Sequence, residues 1–387
     1  MIPKSKWPNY DIIIQTKITK LLQTGKTNYL VGKEGLLFEK NFTKFYKIKF
    51  ANVVANASLG LELSLLSLNL KKGDQVIVTP RSYHSSVSCV IRAGLTPVFA
   101  DIDRNTMNIC PNSIRKNISK KTKAIICVHL YGMPCKMDEI IKLSKEYKLK
   151  IIEDCSQAHG SKIGRKYVGS FGDISVFSYC QDKIISTGGE GGMIATNNKK
   201  LNDRIWSLKE IGKNKDKFFK INSLSNDFPY VHDTIGTNAR ITEIQSCIGN
   251  YQLKKLKSYI RVRNENAKIF FSKLKNCKHL IIPNHNSQIT HSYYRYTVII
   301  NNEKLSRPIL MKNLKKKGVS CTVGGCPTIY NERYFVENFN INKKNYPNAE
   351  YIKNRTLSFL VDQTINKKDI KKVCHILLDQ INKILKK

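Results

Sequence analysis

Six short apolar runs, at residues 75–78, 97–100, 124–130, 149–152, 174–179 and 192–196, constrain the fold of this chain more than any other feature. Polar, helix-compatible stretches separate them, which is the pattern of strands joined by helical crossovers. Several runs are apolar at consecutive positions instead of alternating, as expected of strands covered on both faces. Pro80, Gly94, Pro97, Gly132 and Pro134 punctuate them. The pattern predicts an α/β domain around a mostly parallel sheet flanked by helices. Between residues 241 and 276 the texture changes to long charged and apolar stretches, and residues 283–292 suit a loop. The domain change is therefore expected near residue 250, dividing a large domain (1–250) from a smaller C-terminal α+β domain (251–387). In the latter, residues 293–300 suit a strand, and Ile370, Val373, Leu377, Ile381 and Ile384 recur at helical spacing.

A chain of 387 residues can bury a large active site. No apolar run reaches the ~20 residues of a membrane helix, and the start (Met1-Ile-Pro-Lys-Ser-Lys6) lacks a secretory apolar stretch, so a soluble cytoplasmic protein is expected. The eleven cysteines contain no CxxC pair that would suggest zinc or a redox couple, and are expected to be reduced and often buried. The formal charge of +37 would suit a polyanionic partner. Yet only 13 of the 66 basic residues are arginine, and these are dispersed, which argues against a nucleic-acid interface. A lysine-coated surface tolerant of an acidic small substrate is the simpler reading.

Two segments carry the chemistry. In Ile151-Ile-Glu-Asp-Cys-Ser-Gln-Ala-His-Gly160 an apolar strand runs directly into Asp154, and ligands of doubly wound sheets bind at the carboxyl ends of strands. The structural alternative is that Glu153 and Asp154 cap a following helix. In Phe177-Ser-Tyr-Cys-Gln-Asp-Lys183 a second strand ends in a serine, with a lysine five residues later and then Gly188-Gly-Glu-Gly-Gly192. A lysine so placed can form an imine with an aldehyde cofactor, and the glycines let backbone approach it closely. His129, inside an apolar run, suits a core histidine better than a catalyst, and His159 has similar standing. Glu190 either orients the glycine loop or makes a surface pair.

These segments resemble the DegT/DnrJ/EryC1/StrS family of sugar aminotransferases, which depend on pyridoxal 5′-phosphate (PLP) and have the fold-type I, aspartate aminotransferase-like architecture. The likeness is collinear over nearly the whole chain. It takes in residues 32–39, Ala55-Asn-Ala-Ser-Leu-Gly-Leu61, residues 94–103, residues 122–132, the EDCSQAHG stretch, Gly169-Ser-Phe-Gly-Asp173, the Lys183 segment and Gly236-Thr-Asn-Ala-Arg-Ile-Thr-Glu243. The resemblance implies that Lys183 holds the cofactor as a Schiff base and shuttles the proton. Asp154 would pair with the pyridine nitrogen, Gln157 with the phenolic oxygen, and Ser178 with the phosphate. Ala57 and Ser58 would offer the phosphate backbone amides at a helix start, Tyr83 would stack on the ring, and Asn238 would reach the phosphate of the neighbouring subunit. A homodimer with shared sites, a nucleotide-sugar substrate and glutamate or glutamine as amino donor follow from the same likeness.

The chain departs from the family in lacking the usual glycine at Ala57-Ser58 and in carrying an extra one at Gly188-Gly189. It also has Gly325-Cys-Pro-Thr-Ile-Tyr330 where many members place a substrate-facing histidine. Leucines at 59, 61, 63 and 65 read as a strand, whereas the family implies a helix. The rival readings are a PLP-dependent sugar dehydratase, whose lysine position holds histidine in that family, and a catalytically silent regulatory homologue.

Overall fold

The computed structural model describes residues 5–220 and 228–386. The chain's first four residues lie outside them. A seven-stranded sheet forms the centre of the N-terminal part. In spatial order its strands are Phe50–Val54, Gly192–Thr196, Ile174–Ser178, Lys150–Asp154, Thr122–Val128, Gln75–Val78 and Thr96–Phe99. All run in one direction except Gly192–Thr196, which is antiparallel to both its neighbours. The six apolar runs are therefore strands of one mostly parallel sheet. The edge strand Phe50–Val54 was not among them, because its first two residues are only half buried and it follows the lysine-rich Lys47-Ile-Lys49.

Consecutive apolar residues are explained by two separate cores, one on each face. Val76, Val78, Ala124, Ile126 and Ile152 join the larger core, while Ile77, Ile125, Cys127 and Ile151 join another on the opposite face. The leucine-rich stretch after Asn56 is the helix Ala57–Ser67, not a strand. Most of its surface is buried, so apolar residues occupy more than one face and the helical period is masked. Asn56 caps it by accepting from the Leu59 amide.

The helix Glu243–Leu274 passes unbroken through the expected boundary at residue 250. Leu253 and Leu256 belong to the larger core, and Ala267, Phe270 and Leu274 to a further core. That core also covers the antiparallel sheet of Leu280–Ile281, Tyr296–Ile300, Thr356–Phe359 and Cys321–Thr322. The final helix, Lys367–Leu385, carries the predicted apolar stripe against it. All eleven cysteines are free thiols, six of them buried. Among the described residues no helix is long and apolar enough to cross a membrane.

Glu153 is a structural anchor with no following helix to cap. Fully buried, it accepts from the amides of Gly169, Phe171 and Gly172 at 2.6–2.7 Å and from His129 Nε2 at 3.0 Å. His129 Nδ1 accepts from the Cys135 amide, which leaves the ring proton on Nε2 to be donated. His129 is thus a satisfied core histidine, and the GSFGD segment supplies amides to a buried acid. Burial alone would favour the neutral acid, but His129 and the backbone donors hold the Glu153 carboxyl below its ordinary range.

Glu153→Leu strands four donors in a dry core and is expected to cost about 3 kcal/mol or more, seen as a fall of several degrees in the thermal midpoint. Glu146→Ala, which breaks an exposed pair with Arg115, should leave the midpoint within error. The depressed acidity fixes the sign of the pH effect. The stabilisation by Glu153 is complete above the ordinary glutamate value of 4.5 and is lost as pH falls through the lower folded value. Glu153→Gln should therefore flatten the acid limb of the stability curve.

Candidate active site

Asp154 and Ser178 end neighbouring parallel strands, and the loops that follow these strands surround a cleft of about 670 Å³. Ala57, Ser58, Tyr83, Asp154, Gln157, Ser178 and Lys183 all line it. Seven of the eight expected site residues are thus brought together by one chain. Asn238 is exposed and lies outside this lining, on a segment bridged to Glu210.

Asp154 is almost fully buried, yet its partners are neutral: Ser86 Oγ donates to Oδ2 at 2.8 Å and the Ser156 amide to Oδ1 at 3.0 Å. Among the described residues no cation pairs with it. A buried carboxylate facing a cleft without a counter-ion favours a cationic ligand atom, and a protonated pyridine nitrogen is one. The amides of Ala57 and Ser58 open an eleven-residue helix that lines the same cleft as Ser178, an arrangement that suits an anion. Gly192 pairs with Ser178 in the sheet, and a Cβ there would meet the Asn56–Ala57 backbone at 2.8–2.9 Å. The glycine lets strand and helix start meet at this point. The cleft therefore fits PLP in polarity, since one lining holds both a buried acid and an anion site.

Lys183 leaves the loop between Ser178 and Gly192 and points its amine toward Asp182, at 3.4 Å, and over the Tyr294 ring, 5.0 Å from its centre. Burial pulls the lysine pKa down, but Tyr294 and Asp182 outweigh it and hold it above the ordinary value. Asp182 in turn accepts from Tyr294 OH and lies 3.7 Å from Arg295 Nη2. Burial raises its pKa, and Lys183, Tyr294 and Arg295 bring it below the usual carboxylate range. His159 is packed between Phe177 and Tyr179, where burial, aided by Lys183, lowers its pKa to about 3, so the ring is neutral. Glu190 anchors the glycine loop through its carbonyl, which accepts from Thr187 Oγ1 and Gln245 Nε2.

Sequence reading missed Ser86, Tyr131, Asp182, Tyr294 and Arg295, all of which line the cleft. Tyr131 is a left-handed non-glycine residue (φ 56°) whose atoms tie four segments together. Its amide donates to Gln157 Oε1, its carbonyl accepts from the Tyr294 amide, and its hydroxyl accepts from Arg81 Nη2 and from the Gly325 amide. Gly324 beside it is equally constrained, since a Cβ would collide with the Tyr131 hydroxyl. Adjacency to Lys183 was the one sequence signal for Asp182. Tyr294 lies 112 residues further along the chain and had none.

The cleft geometry agrees with comparisons made on the whole chain. GDP-perosamine synthase of Escherichia coli O157:H7 is 37% identical over 302 residues, which are 77% of this chain and 79% of that protein. The solved aminotransferase from Psychrobacter cryohalolentis superposes with a TM-score of 0.94 at 35% identity, covering 99% of this chain and 100% of its own. The Escherichia coli GDP-4-keto-6-deoxy-D-mannose-3-dehydratase with bound hydrated PLP superposes at 0.87 with 27% identity, covering 97% and 98% of the two chains. The pattern of conserved positions that defines the DegT/DnrJ/EryC1/StrS aminotransferases extends over residues 11–378, and the chain belongs to that family.

Proposed function

We propose that this protein is a cytoplasmic, homodimeric aminotransferase that uses PLP to move an amino group from glutamate or glutamine onto a keto carbon of a nucleotide-linked sugar, in amino-sugar or surface-polysaccharide synthesis. The observation that carries the reading is a lysine amine sharing one cleft with a buried, cation-seeking Asp154 and a helix-start anion site. The nucleotide-linked sugar is supported by the relative named GDP-perosamine synthase.

When bound, PLP supplies an electron sink for charge left on the substrate carbon. Asp154 keeps that sink effective by holding a proton on the pyridine nitrogen, and Ser86 and Ser156 fix the carboxylate for the task. Gln157, its oxygen occupied by the Tyr131 amide, would donate from its amide nitrogen to the phenolic oxygen. Ala57, Ser58 and Ser178 would hold the phosphate, and Tyr83, 67% exposed in the single chain, would be available to stack on the ring. Lys183 would be the acid and base, its amine holding the proton taken from the substrate carbon. Asp182 and Tyr294 hold its amine in place between proton transfers. Lys183 also separates this chain from the dehydratases of the family, where the resemblance puts a histidine.

Dimerisation is supported by the surroundings of Asn238. Phe228, Tyr230 and Ile235, nearby in the chain, are 74%, 84% and 91% exposed, and a partner subunit would cover them.

Borohydride reduction of the PLP-loaded protein, followed by peptide mapping, should place the pyridoxyl group on Lys183. A label elsewhere overturns the assignment. Asp154→Asn should lower turnover by roughly 100-fold or more while cofactor affinity changes little, because the phosphate contacts remain. Near-normal half-reaction rates would reduce Asp154 to a structural role. For the shared site, inactive Lys183→Ala protein mixed with inactive Asn238→Asp protein should regain about a quarter of wild-type activity on subunit exchange. If labelled subunits exchange and activity stays absent, Asn238 acts within its own chain.

A further inference from the structure

Of the described residues lining the cleft, two carry positive side chains, Lys183 and Arg295. With Lys183 committed to the reacting centre, Arg295 is the fixed cation of the site. Its side chain is 18% exposed, and its guanidinium lies over the Tyr294 ring with the central carbon 4.9 Å from the ring centre and has Asp182 as its ion-pair partner. That pair is loose, at 3.7 Å, beyond hydrogen-bond distance. Tyr294 OH donates to the same Asp182 oxygen, so the acid keeps a partner when Arg295 turns to a ligand.

The Arg295 backbone is held from two directions. Arg263, fully buried on the helix Glu243–Leu274, donates to the carbonyls of Tyr293 and Tyr294 at 3.0 and 3.3 Å. The Tyr294 amide donates to the Tyr131 carbonyl at 2.9 Å, and the strand Tyr296–Ile300 begins at the next residue after Arg295.

Resting on the aminotransferase reading, we propose that Arg295 anchors the α-carboxylate of the amino-acid donor. The Asp182 carboxylate marks the span required, with Oδ1 3.4 Å from the Lys183 amine and Oδ2 3.7 Å from Arg295. In an α-amino acid the carboxylate hangs from the carbon that bears the amine. A donor amine in the place of the lysine amine therefore puts its carboxylate within the distance that one carboxylate already bridges. The diphosphate of a nucleotide sugar is separated from the reacting carbon by the sugar ring and falls outside this span. The planar guanidinium fork suits a carboxylate by two parallel hydrogen bonds.

The test uses PLP-loaded wild type, Arg295→Met and Arg295→Lys, with calorimetric binding of 2-methylglutamate, which has no α-proton to lose, and of inorganic pyrophosphate. Arg295→Met should raise the 2-methylglutamate Kd about 10- to 100-fold, and Arg295→Lys should recover part of the loss. Cofactor content and pyrophosphate affinity should stay at wild-type level. An unchanged 2-methylglutamate Kd, or a loss confined to pyrophosphate, overturns the proposal. Should Arg295→Met fail to fold or to retain cofactor, Arg295→Lys decides alone, with a several-fold rise in Kd expected. Failure of the aminotransferase reading is a separate result. Wild type would then form no 2-oxoglutarate from glutamate, while the dependence of 2-methylglutamate binding on Arg295 is still read by calorimetry.

Discussion

At the end of the strand Lys150–Asp154 two adjacent carboxylates leave the sheet on opposite faces, and the site depends on that alternation. Side chains of a strand point to opposite faces in turn, so Glu153 and Asp154 cannot share an environment. Glu153 enters the closed side, where it gathers three backbone amides and the His129 ring. Asp154 enters the open side and receives two neutral donors. A slip of one residue in the strand would exchange them. The sheet register, locked by apolar neighbours on both faces, therefore decides which acid is structural and which faces the cleft.

From this strand the rest of the cleft is assembled by backbone contacts. Tyr131 is the junction: one residue orders the Gln157 amide, receives the chain at Tyr294 and holds the Gly324–Gly325 turn. The left-handed backbone it adopts costs roughly 1 kcal/mol or more, offset by the hydrogen bonds that only this geometry makes. The cleft wall around Tyr294, Gly324 and Gly325 is thereby referenced to the sheet through few atoms.

How much of this was legible follows from where each signal lies. Apolar runs identified six of seven strands because burial on both faces leaves a composition trace, and the half-exposed Phe50–Val54 leaves little. Lys183, Asp154 and Ser178 were visible because each stands within a few residues of a strand end, and Gln157 through the family likeness. The helix Ala57–Ser67 was misread by pattern, since enclosure on most sides erases the 3.6-residue period, and the family likeness corrected it. Tyr131, Tyr294 and Arg295 left no trace, because they reach the cleft by chain crossings between distant segments. The loose pairing of Arg295 with Asp182 is likewise a fact of folding, spanning more than a hundred residues.

The helix Glu243–Leu274 gives these contacts a mechanical character. At 32 residues it is a strut about 48 Å long, with Cys247 and Ile248 of its first turns packed with Ile14, Leu253 and Leu256 set in the larger core, and Ala267, Phe270 and Leu274 in the core of the antiparallel sheet. Arg263 sits between the two and grips the carbonyls beside Arg295. A rigid rod turns a slight tilt at one end into a large displacement at the other. A tilt set beneath its first turns, far from the cleft, would therefore be passed through Arg263 to the backbone beside Arg295. Packing changes can thus act on the cleft wall through a lever whose fulcrum lies in the core.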